Sequence, residues 1–155
     1  MLVVADSSPL RYLLLIGQID ILPKLFGQVV IPPTVAEELS HVNTPRPVRD
    51  FISQPPSWLD ILTPQSVEPI PDIDLGECAA INLVLEIKAD LLLIDDLDGR
   101  QAALARGISI AGTLGVLKLA AKRALLSLPD AIEKLQQSGF HASSDVLKKL
   151  LEESE

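Results

Sequence analysis

Lys88-Ala89-Asp90-Leu91-Leu92-Leu93-Ile94-Asp95-Asp96 is the stretch on which the fold turns. Four apolar residues in succession, Leu91 to Ile94, sit between polar neighbours. They read as a short strand buried on both faces, as in a parallel sheet. Two carboxylates follow at its carboxyl end. In an open α/β sheet, ligands bind at that end of the strands. Buried carboxylates are costly, and neighbouring ones more so, unless something cationic lies between them. The rest of the chain can be read as bringing further carboxylates to this point.

Upstream, Leu2-Val3-Val4-Ala5 is a second buried run and ends at Asp6. Ser8 suits an N-cap and Pro9 a first helical position, so a helix is predicted to about Ile16, stopping at Gly17. A short helix over 19–26 and a strand over 28–31 follow. Pro32-Pro33-Thr34-Val35-Ala36-Glu37-Glu38-Leu39 opens the next helix. Thr34 and Glu37 have capping-box spacing, which occupies Glu37 and leaves Glu38 free to face inward. Residues 48–53 read as helical turns, 58–62 as an edge strand and 63–73 as an exposed loop.

Asp74-Leu75-Gly76-Glu77 begins a helix reaching Ile87, with Glu77 on the same stripe as Ile81, Val84 and Leu85. Beyond the central strand, a helix over 98–106 is predicted, with Asp98 as its simplest N-cap and Gly107 closing it. A strand over 108–111 comes next, then a helix ending near Arg123. Two amphipathic helices, 129–137 and 144–153, finish the chain.

Strands alternating with helices predict an α/β fold, a central mostly parallel sheet flanked by helices. The 155 residues fit one domain, 1–155, with a helical C-terminal part over about 128–155. Aromatic residues make up only 3% of the chain, which suits a helix-covered sheet better than a β-sandwich. No apolar run approaches a membrane span, and Met1 leads directly into a strand, so no membrane role and a cytoplasmic location are expected. Cys78 is the single cysteine, which leaves neither a disulfide framework nor a thiolate metal cluster; it reads as a small core residue. The net charge of −8 argues against a general nucleic-acid binder, although bound divalent cations reverse the sign locally.

Asp6, Glu38, Glu77 and Asp95-Asp96 each stand near a strand end or on a helix face turned to the sheet. Each also has a plainer reading: Asp6 or Asp98 as a helix cap, Glu38 as a solvated residue, Glu77 as a capping-box partner of Asp74. Together they are more specific. Strands of one parallel sheet end on one edge, so Asp6 and Asp96 fall on the same edge, and clustered oxygen ligands favour Mg²⁺ or Mn²⁺ over Zn²⁺. Such a site can activate water and stabilise phosphoryl transfer. His41 and His141 fit no ligand spacing and read as surface or loop residues. The chain has no G-x-S-x-G, no G-x-G-x-x-G and no Walker A loop.

At this point the sequence resembles the PIN-domain superfamily, and more narrowly the PIN-like proteins related to VapC-type toxins. The residues that carry the likeness are V-V-A-D-S-S-P-L, I-P-P-T-V-A-E-E-L, L-G-E-C-A-A-I-N-L-V-L, A-D-L-L-L-I-D-D-L-D-G-R-Q-A-A and G-T-L-G-V-L, in family order from about Leu2 to Leu117. Ser138-Gly139-Phe140 resembles the family's C-terminal part. The resemblance implies a Rossmann-like three-layer PIN fold and a metal-dependent endoribonuclease. It assigns the acidic quartet to Asp6, Glu38, Glu77 (where many relatives have Asp) and Asp96, with first and fourth strands adjacent. Asp95 stands beside Asp96, Asp98 assists as a further metal ligand, and Ser8 supports the first acid. Ile94 departs from the pattern, since many VapC toxins have Thr or Ser there.

The implied function is RNA hydrolysis with Mg²⁺ or Mn²⁺, as the toxin of a toxin–antitoxin pair with an antitoxin protein as partner. A homodimer is also expected, through spare apolar surface on the helices near 19–26 and 48–53. A catalytically inactive PIN-fold interaction module is the alternative. A small-phosphoester hydrolase is a third, disfavoured by the missing phosphate-cradling glycine loop.

Overall fold

In the computed structural model, which describes residues 1–153, five parallel strands form one sheet in the order β3-β2-β1-β4-β5. The strands are β1 Leu2–Ala5, β2 Gln28–Ile31, β3 Leu59–Ile61, β4 Leu91–Leu93 and β5 Ile110–Ala111. The pairs β1–β2, β1–β4, β2–β3 and β4–β5 are all parallel. Helices α1 Ser7–Leu15, α2 Ile21–Phe26, α3 Pro33–Leu39, α4 Arg46–Ser53, α5 Leu75–Ile87, α6 Leu97–Ala105, α7 Thr113–Lys122, α8 Leu128–Gln137 and α9 Ser144–Glu153 connect and follow them. Residues 154 and 155 of the expected 1–155 span lie outside the described residues.

The period of two along each strand divides the core into two layers. Val3, Ala5, Val29, Ile31 and Leu93 pack on one side with Leu10 and Leu13 of α1, Leu22 of α2, Val35 of α3 and Leu117 of α7. Val4, Val30, Leu92 and Ile94 pack on the other with Ala80, Ile81 and Val84 of α5 and Ala103 of α6. Each central strand therefore needs apolar residues in succession, the pattern seen at 2–5 and 91–94. The result is a three-layer, Rossmann-like α/β fold.

Register fixes where the polar ends fall. Val4 pairs with Leu92 and Ala5 with Leu93, and the Asp6 amide donates to the Leu93 carbonyl at 2.9 Å. Asp6 and Asp95-Asp96 thus leave the sheet together on one edge. The strand order reverses direction between β1 and β4, which makes this edge the topological switch point.

The N-caps of three helices differ from the sequence reading. Helix α1 begins at Ser7 with Asp6 at its N-cap position, so Ser8 lies inside the first turn. Helix α3 begins at Pro33, whose fixed φ suits a first position, and no side chain caps it. Thr34 is therefore helical, and the Thr34–Glu37 capping box does not form. Helix α6 begins at Leu97 with Asp96 as its N-cap, which moves Asp98 into an exposed first turn. The spare apolar surface expected near 19–26 and 48–53 is also absent. Ile21, Leu22, Leu25 and Phe26 of α2 and Val48 and Ile52 of α4 are buried within the chain's own core. Among the described residues, no helix is long and apolar enough to cross a membrane.

Candidate active site

The carboxyl ends of β1 and β4 open into a cavity of about 800 Å³ lined by Asp6, Asp74, Glu77, Asp95 and Asp96. Asp6 is 4% exposed, and its Oδ1 has no hydrogen-bond partner. Glu77 is equally buried, and its Oε2 is also unpartnered. Glu77 stands in the first turn of α5, where Asp74 accepts its backbone N–H at 2.7 Å. That cap fixes the turn and leaves the Glu77 side chain aimed away from solvent.

Burial dominates the electrostatics. It raises the Asp6 carboxyl from its usual range to about 7; a backbone contact from Ser7 opposes this, and the charges of Glu38, Asp74 and Asp95 add to it. Burial also raises Glu77 well above the carboxyl range, helped by a hydrogen bond with Asp74 and by the charges of Asp74, Asp6 and Asp96. Glu38 is raised by its partial burial and, less, by Asp74, while a hydrogen bond from Ser7 opposes the shift.

Glu38 does face inward, with Glu37 exposed, though for a different reason from the capping box. Ser7 Oγ donates to Glu38 Oε2 at 2.7 Å, drawing α3 toward the start of α1. Glu38 lines a smaller neighbouring cavity that also contains Ser7 and Ser8. Ser8 does not support Asp6. Its Oγ donates to Asp95 Oδ2 at 2.9 Å, which also accepts from Thr113 Oγ1 at 2.6 Å. The Thr113 amide, at the start of α7, donates to Asp95 Oδ1 at 2.6 Å. Asp95 is thus tied to two helices, unlike Asp6 and Glu77. Asp96 lines the cavity while accepting the Gly99 amide at 3.4 Å as the α6 cap. Asp98 is exposed and is not among the cavity's residues.

Asp74 caps α5 beside Glu77, as its spacing suggested. Other contributors escaped the sequence reading: Ser7 holds Glu38 and Thr113 holds Asp95. Arg100 lines the cavity, donates from Nη1 to the Ile94 carbonyl at 3.4 Å and makes no ion pair among the described residues. Tyr12 and Phe140 also line the cavity and meet edge to face with ring centroids 5.0 Å apart. Exposed His141 lines it as well.

Three glycines leave room for the carboxylates. A Cβ on Gly76 would strike the Glu38 carboxylate, and one on Gly99 would strike Glu77 Oε2 and come within 2.6 Å of Ile94 Cδ1. One on Gly112 would come within 2.7 Å of Arg100 Nη1 and 2.9 Å of Asp95 Oδ1. These residues could be quoted from the sequence, but only the packing gives them this meaning.

Among the described residues, no three His, Cys, Asp or Glu side chains are already gathered as a ligand cluster. The acids share a cavity rather than a finished cage. Its chemistry nevertheless suits a hard divalent cation: the donors are oxygens, and two buried carboxylate oxygens have no other partner.

A family model described as a PIN domain, DUF3368, matches residues 2–155. The fold is similar to that of a PilT N-terminus domain protein from the hyperthermophilic archaeon Sulfolobus solfataricus P2. The two chains are 16% identical with a TM-score of 0.53, over 92% of this chain and 98% of that one. No curated protein sequence matches the chain.

Proposed function

The chain belongs to the PIN-domain family, a family of nucleases, and on that footing we propose that it is a Mg²⁺- or Mn²⁺-dependent endoribonuclease. The observation that carries the proposal is the pair of buried, unpartnered oxygens, Asp6 Oδ1 and Glu77 Oε2, on residues lining the cavity at the switch point. Asp6, Glu77 and Asp96 are the residues that would hold the cation, with Glu38 beside them.

Bound there, a divalent cation supplies a nucleophilic water at neutral pH and offsets charge on the phosphate. The protein's own groups do the positioning. Asp74 fixes the turn that carries Glu77. Ser7 holds Glu38. Ser8 and Thr113 hold Asp95, which ties the start of α1 and the start of α7 to the end of β4. Arg100 lines the cavity, makes no ion pair among the described residues and is suited to a non-bridging phosphate oxygen. We assign this chemistry to the toxin of a toxin–antitoxin pair. A small protein encoded beside it should inhibit the cleavage described next.

Purified protein is expected to cut single-stranded RNA with Mn²⁺ and not with EDTA. Asp6→Asn/Asp96→Asn should lower the rate at least about 100-fold, the scale of losing preorganised charge at a reacting centre. Tight Mn²⁺ binding with no RNA cleavage would favour the inactive interaction module instead.

A further inference from the structure

A net charge of −8 poses a problem for holding an anionic strand, and the groove along α1 offers a solution. A cavity of about 260 Å³ shares Ser7, Ser8 and Tyr12 with the acidic cavity and adds Arg11. A third, of about 400 Å³, shares Arg11 with the second and adds Leu15 and, from α8, Lys134. Ser7, Ser8, Arg11, Tyr12 and Leu15 lie at i, i+1, i+4, i+5 and i+8, one face of α1. The groove thus follows the helix for about 12 Å at ~1.5 Å per residue.

Charge changes sign along this path. Five carboxylates and Arg100 line the first cavity, Glu38 and Arg11 the second, and Arg11 and Lys134 the third, which has no carboxylate. Arg11 and Lys134 are exposed, and neither forms an ion pair among the described residues. Tyr12 lines the junction of the first two cavities and supplies an aromatic surface for a base.

We propose that this groove is the path of a single-stranded RNA, whose reacting phosphate lies at the carboxylates and a further backbone phosphate on Arg11 and Lys134. The proposal rests on the nuclease reading and adds a second point of attachment to it. Phosphate contacts of this kind set register without reading sequence, and a local cationic patch attracts an anion even on an acidic protein.

The test is fluorescence anisotropy of a short, labelled single-stranded RNA in EDTA, so that the strand stays intact. Arg11→Gln/Lys134→Gln should weaken binding about tenfold and make the slope of log K against log salt shallower by about 0.7, the value for one phosphate of a single strand. Lys24→Gln/Lys88→Gln, the same charge change elsewhere, should leave both quantities unaltered. Wild-type binding by the Arg11/Lys134 variant, or no RNA binding by the wild type, overturns the path. Displacement of the labelled RNA by polyglutamate at a lower concentration than unlabelled RNA requires also overturns it and assigns the groove to an acidic polypeptide. The nuclease reading is judged separately, by Mn²⁺-dependent hydrolysis of bis(p-nitrophenyl) phosphate, a diester too short to reach Arg11.

Discussion

Glu77→Gln is expected to raise the melting temperature of the metal-free protein at mildly alkaline pH and to remove most of its response to Mn²⁺. Glu77 is 4% exposed and has an unpartnered oxygen, and its burial favours the neutral carboxyl. Folding then takes up a proton that the unfolded chain does not hold. Stability from this group is present in full below the unfolded carboxyl pKa and is lost as pH rises through the raised folded value. Asp6 acts in the same direction up to about 7.

The metal-free wild type should therefore lose stability steadily from acidic to alkaline pH, and the Gln variant should lose less. A cation that binds only the folded state reverses the penalty. At about 100 times its Kd it contributes about 2.7 kcal/mol, or about 5–10 °C in a chain of this size. Thermal melts with and without Mn²⁺ across pH decide the matter. If Gln lowers the metal-free melting temperature and leaves the Mn²⁺ response intact, Glu77 belongs to the α5 cap alone.

Gly76→Ala should separate activity from stability. The residue lies in the first turn of α5, and an added Cβ would run into the Glu38 carboxylate. Glu38 is half-buried and its end can swing away, so the fold should tolerate the change. Alanine in a helix is better than glycine by about 0.5–1 kcal/mol, and the melting temperature should hold or rise. Activity should nevertheless fall about 100-fold, the loss expected from displacing a reacting group by about an ångström.

Gly99→Ala differs in its neighbours. Its Cβ would meet Ile94 as well as Glu77, and fully buried Ile94 has nowhere to retreat. This variant should lose about 1–3 kcal/mol to overpacking as well as activity. Measuring kcat/KM on RNA and melting curves on the same preparations tests both. Full activity in Gly76→Ala would remove Glu38 from the machinery.

The central layer of the fold was legible because the two central strands are buried on both faces, so Leu2–Ala5 and Leu91–Ile94 appear as unbroken apolar runs. Strand ends followed, and with them Asp6, Asp95 and Asp96. Helix starts were less legible, since several neighbouring residues can cap. The Pro33 ring, rather than Thr34, sets the start of α3, and Asp96, rather than Asp98, caps α6.

Partners across long separations left no local trace. Ser8 meets Asp95 at a distance of 87 positions, and nothing near either residue pairs them. Arg100 read only as part of a helix, because its role depends on β4 and the turn at Gly112 closing around it. The apolar residues of α2 read as spare surface because sequence alone does not show that this short helix docks on the sheet beside β2.

Anomalous diffraction from crystals of the wild-type protein grown with Mn²⁺ tests the metal site most directly. The expected result is a peak in the cavity between β1 and β4, in contact with the Asp6 carboxylate and beside Glu77 and Asp96. A cavity without a peak in crystals whose other carboxylates bind Mn²⁺, or a peak confined to exposed acids such as Asp98, would contradict it.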